Sequence, residues 1–181
     1  MRTLKIFIWL IGFLILVIFI VLQLNFYPVA LTSKWIITDR QFNKIVESSL
    51  VYYQKTFSVY TTSTPIVDAK FQKEIKRAAL DKLIEDKIIN EILSEKLGSK
   101  ELKRLANDKL TALSVNNDIA NASQALYNLS LKDFKNLVLM PEAKREILTE
   151  QGINLQEIKK SYQPVILIPG FYWQNEVLIK E

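Results

Sequence analysis

The chain has 181 residues, of which 49% are hydrophobic and 24% charged, and its 24 Lys and Arg against 19 Asp and Glu give a net charge of +5. This apolar content excludes an intrinsically disordered chain. The absence of cysteine and histidine excludes disulfide scaffolds, thiolate metal sites, zinc hydrolases and Ser-His catalysis. We therefore expect a protein that is not an enzyme, with no catalytic residue, no cofactor and no metal ion.

An uninterrupted apolar run covers residues 6–22, and the longer segment 4–24, at about 1.5 Å per residue, would form a helix about 31 Å long, enough to cross a bilayer. Arg2 and Lys5 flank its N-terminal end, so the positive-inside rule predicts a cytoplasmic N-terminus and an extracytoplasmic domain. We predict that residues 1–24 are a transmembrane signal anchor of a single-pass protein of the cell membrane. A cleavable signal peptide is the alternative, but its apolar region is usually only about 7–15 residues long.

Residues 25–37 are predicted to be a connector that ends in a short extended segment. Thr38 and Gln41 then have the spacing of a capping box, in which each side chain bonds the other residue's backbone N–H. The helix that starts there carries apolar residues at three- and four-residue spacing to about Lys55. Residues 56–64 are rich in Thr and Ser without a helical period and are predicted to form a loop.

The longest predicted helix opens at Thr64-Pro65, where proline occupies a position that needs no N–H. Its apolar period continues as far as Gly98, which is expected to end it. A shorter helix starts at Ser99, so the two are predicted to form an antiparallel hairpin. The expected core residues are Ile66, Phe71, Ile75, Ala78, Ala79, Leu83, Ile84, Ile88, Ile89, Ile92, Leu93 and Leu97 in the long helix and Leu102, Leu105, Ala106, Leu110 and Leu113 in the short one.

Several short helices are predicted between this hairpin and residue 163. Ser130 and Asp133 repeat the capping pattern, and Pro141 either ends the helix that follows or begins the next one. Together with the helices already described, they form a multi-helix domain over residues 38–163.

Residues 164–181 are rich in β-branched and aromatic side chains and are predicted to form a short strand pair. The turn lies at either Pro169-Gly170 or Gln174-Asn175, and the sequence does not choose between them. The predicted fold class is all-α: an N-terminal transmembrane helix, a multi-helix domain with a long helical hairpin, and a short C-terminal strand pair.

Two motifs carry a resemblance to a known family. Residues 37–42 (ITDRQF) match a helix start of the type I-T-x-x-x-F, and residues 80–89 (LDKLIEDKII) match a long-helix pattern L-x-x-L-I-x-x-x-I-I. With the order of elements, they resemble the N-terminal chaperone part of SurA-type periplasmic proteins. The resemblance implies a helical client-binding module. The family's parvulin isomerase domain is not expected, because only 18 residues, 164–181, follow the helical part.

The densest aromatic cluster of the sequence is a candidate binding surface for clients. Tyr53, Phe57 and Tyr60, with Tyr52 beside them, could pack against apolar segments of an unfolded chain. The opposing interpretation is that these rings belong to the core or lie on the membrane surface.

A second group of residues has a simpler interpretation. Asp81, Glu85 and Asp86 lie within two helical turns and could in principle bind a cation. Lys82 and Lys87 alternate with them, however, which predicts salt bridges between residues i and i+4 on the helix surface.

The function predicted from the sequence is that of a membrane-anchored, extracytoplasmic, chaperone-like protein. Its partners would be unfolded or nascent exported polypeptides, bound without ATP, and the lipid bilayer, contacted through residues 4–24. Basic and acidic residues are interspersed, so no nucleic acid is expected as a partner, and no small-molecule substrate is expected either. The alternative is a structural module that docks onto one folded partner in the cell envelope.

Overall fold

In the computed structural model, the described residues are 7, 9–13, 27–60, 68–113, 119–174 and 177–180. They are mostly helical, with two small antiparallel sheets. The helices are α1 (Asp39–Tyr60), α2 (Ala69–Leu97), α3 (Ser99–Leu113), α4 (Ile119–Tyr127), α5 (Leu131–Phe134), α6 (Met140–Glu150) and α7 (Leu155–Lys159). The strands are β1 (Pro28–Leu31), β2 (Ile36–Thr38), β3 (Val165–Ile166), β4 (Phe171–Gln174) and β5 (Val177–Lys180).

Most of the predicted membrane span, residues 4–24, lies outside the described residues. Residues 9–13 are described, and they are helical and exposed. Over the described part of the chain, no helix combines the length and the apolar character needed to cross a bilayer.

The first sheet joins the two ends of the helical domain. Its central strand β1 pairs with β2 and with β3, both antiparallel, so that Ala30 lies opposite Ile37 on one side and Ile166 on the other. The predicted connector, residues 25–37, thus contains one strand and most of a second. The short extended segment predicted at the end of the connector is β2. Its pairing with β1 was not predicted, nor was the pairing of β1 with β3, which follows the whole helical domain.

The second sheet is the predicted C-terminal strand pair, which is confirmed. Strands β4 and β5 pair from Phe171 opposite Lys180 to Gln174 opposite Val177. This register places the chain reversal after Gln174 and excludes Pro169-Gly170 as the hairpin turn.

Helix α1 begins as predicted and ends later than predicted. Its capping box forms, since Thr38 N donates to Gln41 Oε1 and Gln41 N donates to Thr38 Oγ1, both at 3.4 Å. The loop predicted for residues 56–64 is wrong for residues 56–60, which are helical. Aromatic side chains that pack near the end of α1, described below, outweigh the low helix propensity of its Thr and Ser residues.

Helix α2 begins at Ala69, so the predicted opening at Thr64-Pro65 is wrong; residues 61–67 are outside the described residues. Asp68 is the N-cap, with extended backbone angles, and its Oδ1 accepts a 2.7 Å hydrogen bond from Phe71 N. The predicted end is confirmed, because Gly98 adopts a positive φ of 81°.

The core forms two clusters that meet along α2. The first joins α1, the middle of α2 and both sheets, and the second joins the C-terminal end of α2 to α3 and α6. Leu93 packs with Leu102 and Ala106 in the second cluster, in agreement with the predicted hairpin of α2 and α3. The predicted core of α2 is wrong at two positions. Leu80 is fully buried although it was not expected in the core, and Ala78 is exposed although it was.

Helices α5 and α6 are joined by a π-helical turn at Lys135–Leu139. Ser130 Oγ accepts from Asp133 N at 3.1 Å, so the predicted cap of α5 is confirmed. Pro141 lies in the first turn of α6 and therefore begins a helix.

Candidate functional site

Aromatic rings from four helices meet near the C-terminal end of α1. We call this set the aromatic surface: Tyr52, Tyr53 and Phe57 of α1, Phe71 of α2, Tyr127 of α4 and Phe134 of α5.

The two adjacent tyrosines of α1 contact different neighbours, because consecutive residues on a helix point in different directions. Tyr52 stacks on Tyr127 with ring centroids 5.0 Å apart, and Tyr127 in turn lies 5.3 Å from Phe134. Tyr53 meets Phe71 edge to face at 5.5 Å. These contacts hold α1 between α2 on one side and α4 and α5 on the other.

Two of the three predicted binding residues lie on this surface and are exposed. Tyr53 is 40% exposed and Phe57 is 42% exposed, and their ring centroids are 6.4 Å apart. Phe57 lies on a helix and not in the predicted loop. Because it follows Tyr53 by four residues, the two side chains lie on the same face of the helix. The side chain of Tyr60, the third predicted residue, lies outside what the structure describes.

The surface contains residues that the sequence did not reveal as part of one site. Phe71 lies on the next helix, and Tyr127 and Phe134 are far from α1 in the sequence. Leu126 of α4 and Leu131 of α5 are also exposed, at 41% and 38%. Burial also raises the pKa of the Tyr127 hydroxyl above its ordinary value.

The acidic residues of α2 form a partly buried charge cluster with helices α6 and α7. Lys159 of α7 is only 5% exposed, and its Nζ lies 2.8 Å from Glu85 Oε1 and 3.6 Å from Asp81 Oδ1. Arg145 of α6 lies 3.3 Å from Asp86. Burial raises the pKa of both Asp81 and Asp86 above the ordinary value, despite these cations.

The prediction of surface salt bridges along α2 is therefore only partly correct. Lys82 and Asp86 do form an i, i+4 pair at 2.8 Å. Asp81 and Glu85, however, pair with a cation from α7, more than 70 residues later in the chain. The cluster fastens α6 and α7 to α2, and we assign it a structural role.

A groove of about 500 Å³ lies between the β1–β2 turn, α2 and the segment that precedes β3. Lys34 crosses it and binds Glu91 at 2.9 Å and Glu95 at 2.6 Å. Burial and a hydrogen bond to Glu91 raise the pKa of Tyr162 to about 12. Because these charged groups bind one another, the groove is also best explained as a structural contact.

Comparisons of the chain with protein-family models, with curated proteins and with solved structures found no match. Among the described residues, no three acidic side chains are grouped so that they could hold a metal ion. The aromatic surface, on which Tyr53 and Phe57 are exposed beside rings that are packed between helices, is the best candidate for a functional site.

Proposed function

We propose that the protein is a membrane-anchored, extracytoplasmic, chaperone-like protein that binds unfolded or nascent exported polypeptides without ATP and without catalysis. The observation that carries this proposal is the exposure of Tyr53 and Phe57 beside rings that are packed between helices. Adjacent aromatic side chains in solvent are unfavourable unless a partner covers them.

The chemistry of the aromatic surface suits an unfolded chain. Ring faces and leucine side chains attract apolar segments without a directional hydrogen-bond pattern, so they discriminate little between sequences. Leu126 and Leu131, on the same two helices as Tyr127 and Phe134, are further exposed apolar side chains. The proposed resemblance to SurA-type chaperones, through residues 37–42 and 80–89, points to the same function.

The membrane anchor belongs to this proposal. Residues 4–24 form the span, with Arg2 and Lys5 at its cytoplasmic end. Support comes from the described part of this run, where Trp9 is 81% exposed and Phe13 65% exposed, as expected of side chains that face lipid. Protease added to sealed spheroplasts should digest the helical domain, and full protection would contradict the orientation.

Suppression of aggregation by the full chain in lipid nanodiscs tests client binding. The wild-type protein should suppress aggregation of several unrelated unfolded proteins at a near-stoichiometric ratio. Replacing Tyr53 and Phe57 together with Ser should reduce this suppression several-fold and cost at most about 2 kcal/mol of stability, since both rings are partly exposed. Light scattering measures the first effect and chemical unfolding the second.

A matched control is available in strand β4. Tyr172 is also 40% exposed but has no place on the aromatic surface, so Tyr172→Ser should leave suppression unchanged. Equal loss in the control and in the double variant would show that exposed aromatic rings act in general and that the aromatic surface is not the site.

The second candidate is a docking module for one folded envelope partner. It is favoured by the contacts between the rings, which join the exposed aromatic side chains into one compact patch. A photo-crosslinking amino acid at Phe57, used in intact cells, separates the two functions. Many crosslinked polypeptides support the chaperone, whereas one dominant partner supports the docking module.

A further inference from the structure

The three-stranded sheet has an apolar outer face, which is a second exposed apolar area distinct from the aromatic surface. Leu31 lies opposite Ile36 in β2 and opposite Val165 in β3, and residues in register on antiparallel strands share one face. Leu167 follows two residues after Val165 and continues the ladder, since its N–H bonds Val29 O at 2.9 Å.

The other face of the same sheet is buried in the core. Ala30 and Ile37 are both fully buried, and Ile166 and Ile168 pack against the first core cluster. The two faces are thus distinct from Ala30 onward; Val29, where the register between β1 and β2 shifts, is also buried.

An outer face in water should carry polar side chains, because an antiparallel sheet with one buried face usually alternates apolar and polar residues. Here the outer positions Ile36, Val165 and Leu167 are 53%, 53% and 48% exposed. All three side chains are aliphatic, and they come from two segments that lie far apart in the sequence. Their exposure calls for a partner that covers the face.

The position of the sheet in the chain indicates what that partner is. Central strand β1 starts at Pro28, only four residues after the apolar run ends at residue 24, and this connection can extend at most about 14 Å. If residues 4–24 span the membrane, the sheet cannot leave the bilayer surface. Tyr27, at the junction, is 40% exposed, and tyrosine is typical of the interface between membrane and water.

We propose that the outer face of the three-stranded sheet, with Ile36, Val165 and Leu167, lies on the lipid bilayer at the point where the span emerges. This inference rests on the proposed membrane anchor. Two contacts with the bilayer, the span and the sheet, would fix the orientation of the domain, whereas the span alone would leave it free to rotate.

The absence of cysteine in the chain allows a direct test by spin labelling of the full protein in nanodiscs. Single labels are attached after Ile36→Cys, Leu167→Cys and, as the control, Asn107→Cys on the exposed side of α3. Collision rates are measured with oxygen, which concentrates in lipid, and with a water-soluble nickel chelate. The ratio of oxygen to nickel rates should be at least about twofold higher at residues 36 and 167 than at residue 107.

Two outcomes would overturn the inference while the anchor stands. A ratio at residues 36 and 167 equal to that at residue 107 would mean that the face is in water. Low rates with both reagents would mean that protein covers the face, either a second copy or residues 14–26 of the same chain. Circular dichroism checks that each variant is folded, and Val165→Cys replaces a variant that is not.

Extraction with alkaline carbonate separates these outcomes from failure of the anchor itself. Wild-type protein that stays in the membrane fraction retains the anchor, so the spin-label ratios then decide the inference alone. Release of the wild-type protein would overturn the anchor and, with it, the bilayer as the partner of the sheet.

Discussion

The aromatic surface and the charge cluster of α2 place side chains where their chemistry is least expected. Tyr53 and Phe57 keep large apolar rings in solvent, whereas Lys159, Asp81 and Glu85 keep charges away from it. The exposed rings retain a capacity to bind a partner. The buried charges are already bound to one another, and removal of one would leave another without its ion-pair partner. The comparison predicts that substitutions in the charge cluster and its surrounding core change stability, whereas substitutions in the aromatic surface change binding.

The largest expected effect is in the apolar core that surrounds the charge cluster. Ile88 of α2 is fully buried in the first core cluster. Ile88→Asp places a carboxylate there without a cation and should cost at least about 4 kcal/mol, a large part of a typical total stability of about 5–15 kcal/mol. Circular dichroism during thermal unfolding should show loss of the domain, and client binding should be lost with it.

Ala78→Asp is the matched control for this change, because Ala78 lies on the same helix and is exposed. It should cost less than about 1 kcal/mol. If both variants melt like the wild type, the core face of α2 is not where the structure places it.

A smaller loss is expected when the cation of the charge cluster is removed. Lys159→Met keeps most of the side-chain volume but leaves Glu85 with only the longer contact to Arg145 at 3.6 Å. The loss should be about 3 kcal/mol, since the break of a buried pair leaves a charge without compensation. Chemical unfolding measures it.

The neighbouring Lys160 is exposed, so Lys160→Met should change stability by less than about 0.5 kcal/mol. The Lys159 variant, where it remains folded, should still suppress aggregation. Loss of suppression by a folded Lys159 variant would mean that the two regions are coupled, contrary to the comparison.

Features of the fold that depend on a few adjacent residues could be predicted from the sequence. The Thr38–Gln41 capping box, the end of α2 at Gly98 and the pairing of β4 with β5 all depend on short-range geometry. The apolar period also identified most of the core of α2, because one face of a long helix must be buried.

The features that were missed depend on partners that are distant in the sequence. Helix α1 continues to Tyr60 although its last residues include Thr and Ser, and the ring of Tyr53 meets Phe71, which lies on the next helix. The third strand of the first sheet and the cation at Lys159 also come from the far end of the chain. For the candidate site, the sequence found the residues of α1 but not the rings from α2, α4 and α5 that hold them.

The smallest expected effect concerns the pH dependence of the charge cluster. Burial raises the pKa of Asp81 above its ordinary value of 3.8, and its Oδ1 has no hydrogen-bond partner. The folded protein therefore binds this proton more tightly than the unfolded chain, so ionised Asp81 lowers stability at neutral pH. Its contribution should become more favourable as the pH falls through the raised pKa towards 3.8.

Asp81→Asn removes this ionisation while Glu85 still binds Lys159 at 2.8 Å. The variant should be at least as stable as the wild type at pH 7, and its advantage should shrink as the pH falls below the raised pKa of Asp81. Chemical unfolding of both proteins across this pH range measures the difference, with Asp108→Asn on the exposed side of α3 as the control. If Asp81→Asn instead loses about as much stability at pH 7 as Lys159→Met, the attraction of Asp81 to Lys159 outweighs the cost of its burial. The charge cluster would then be held by three essential charges instead of by the pair of Lys159 and Glu85.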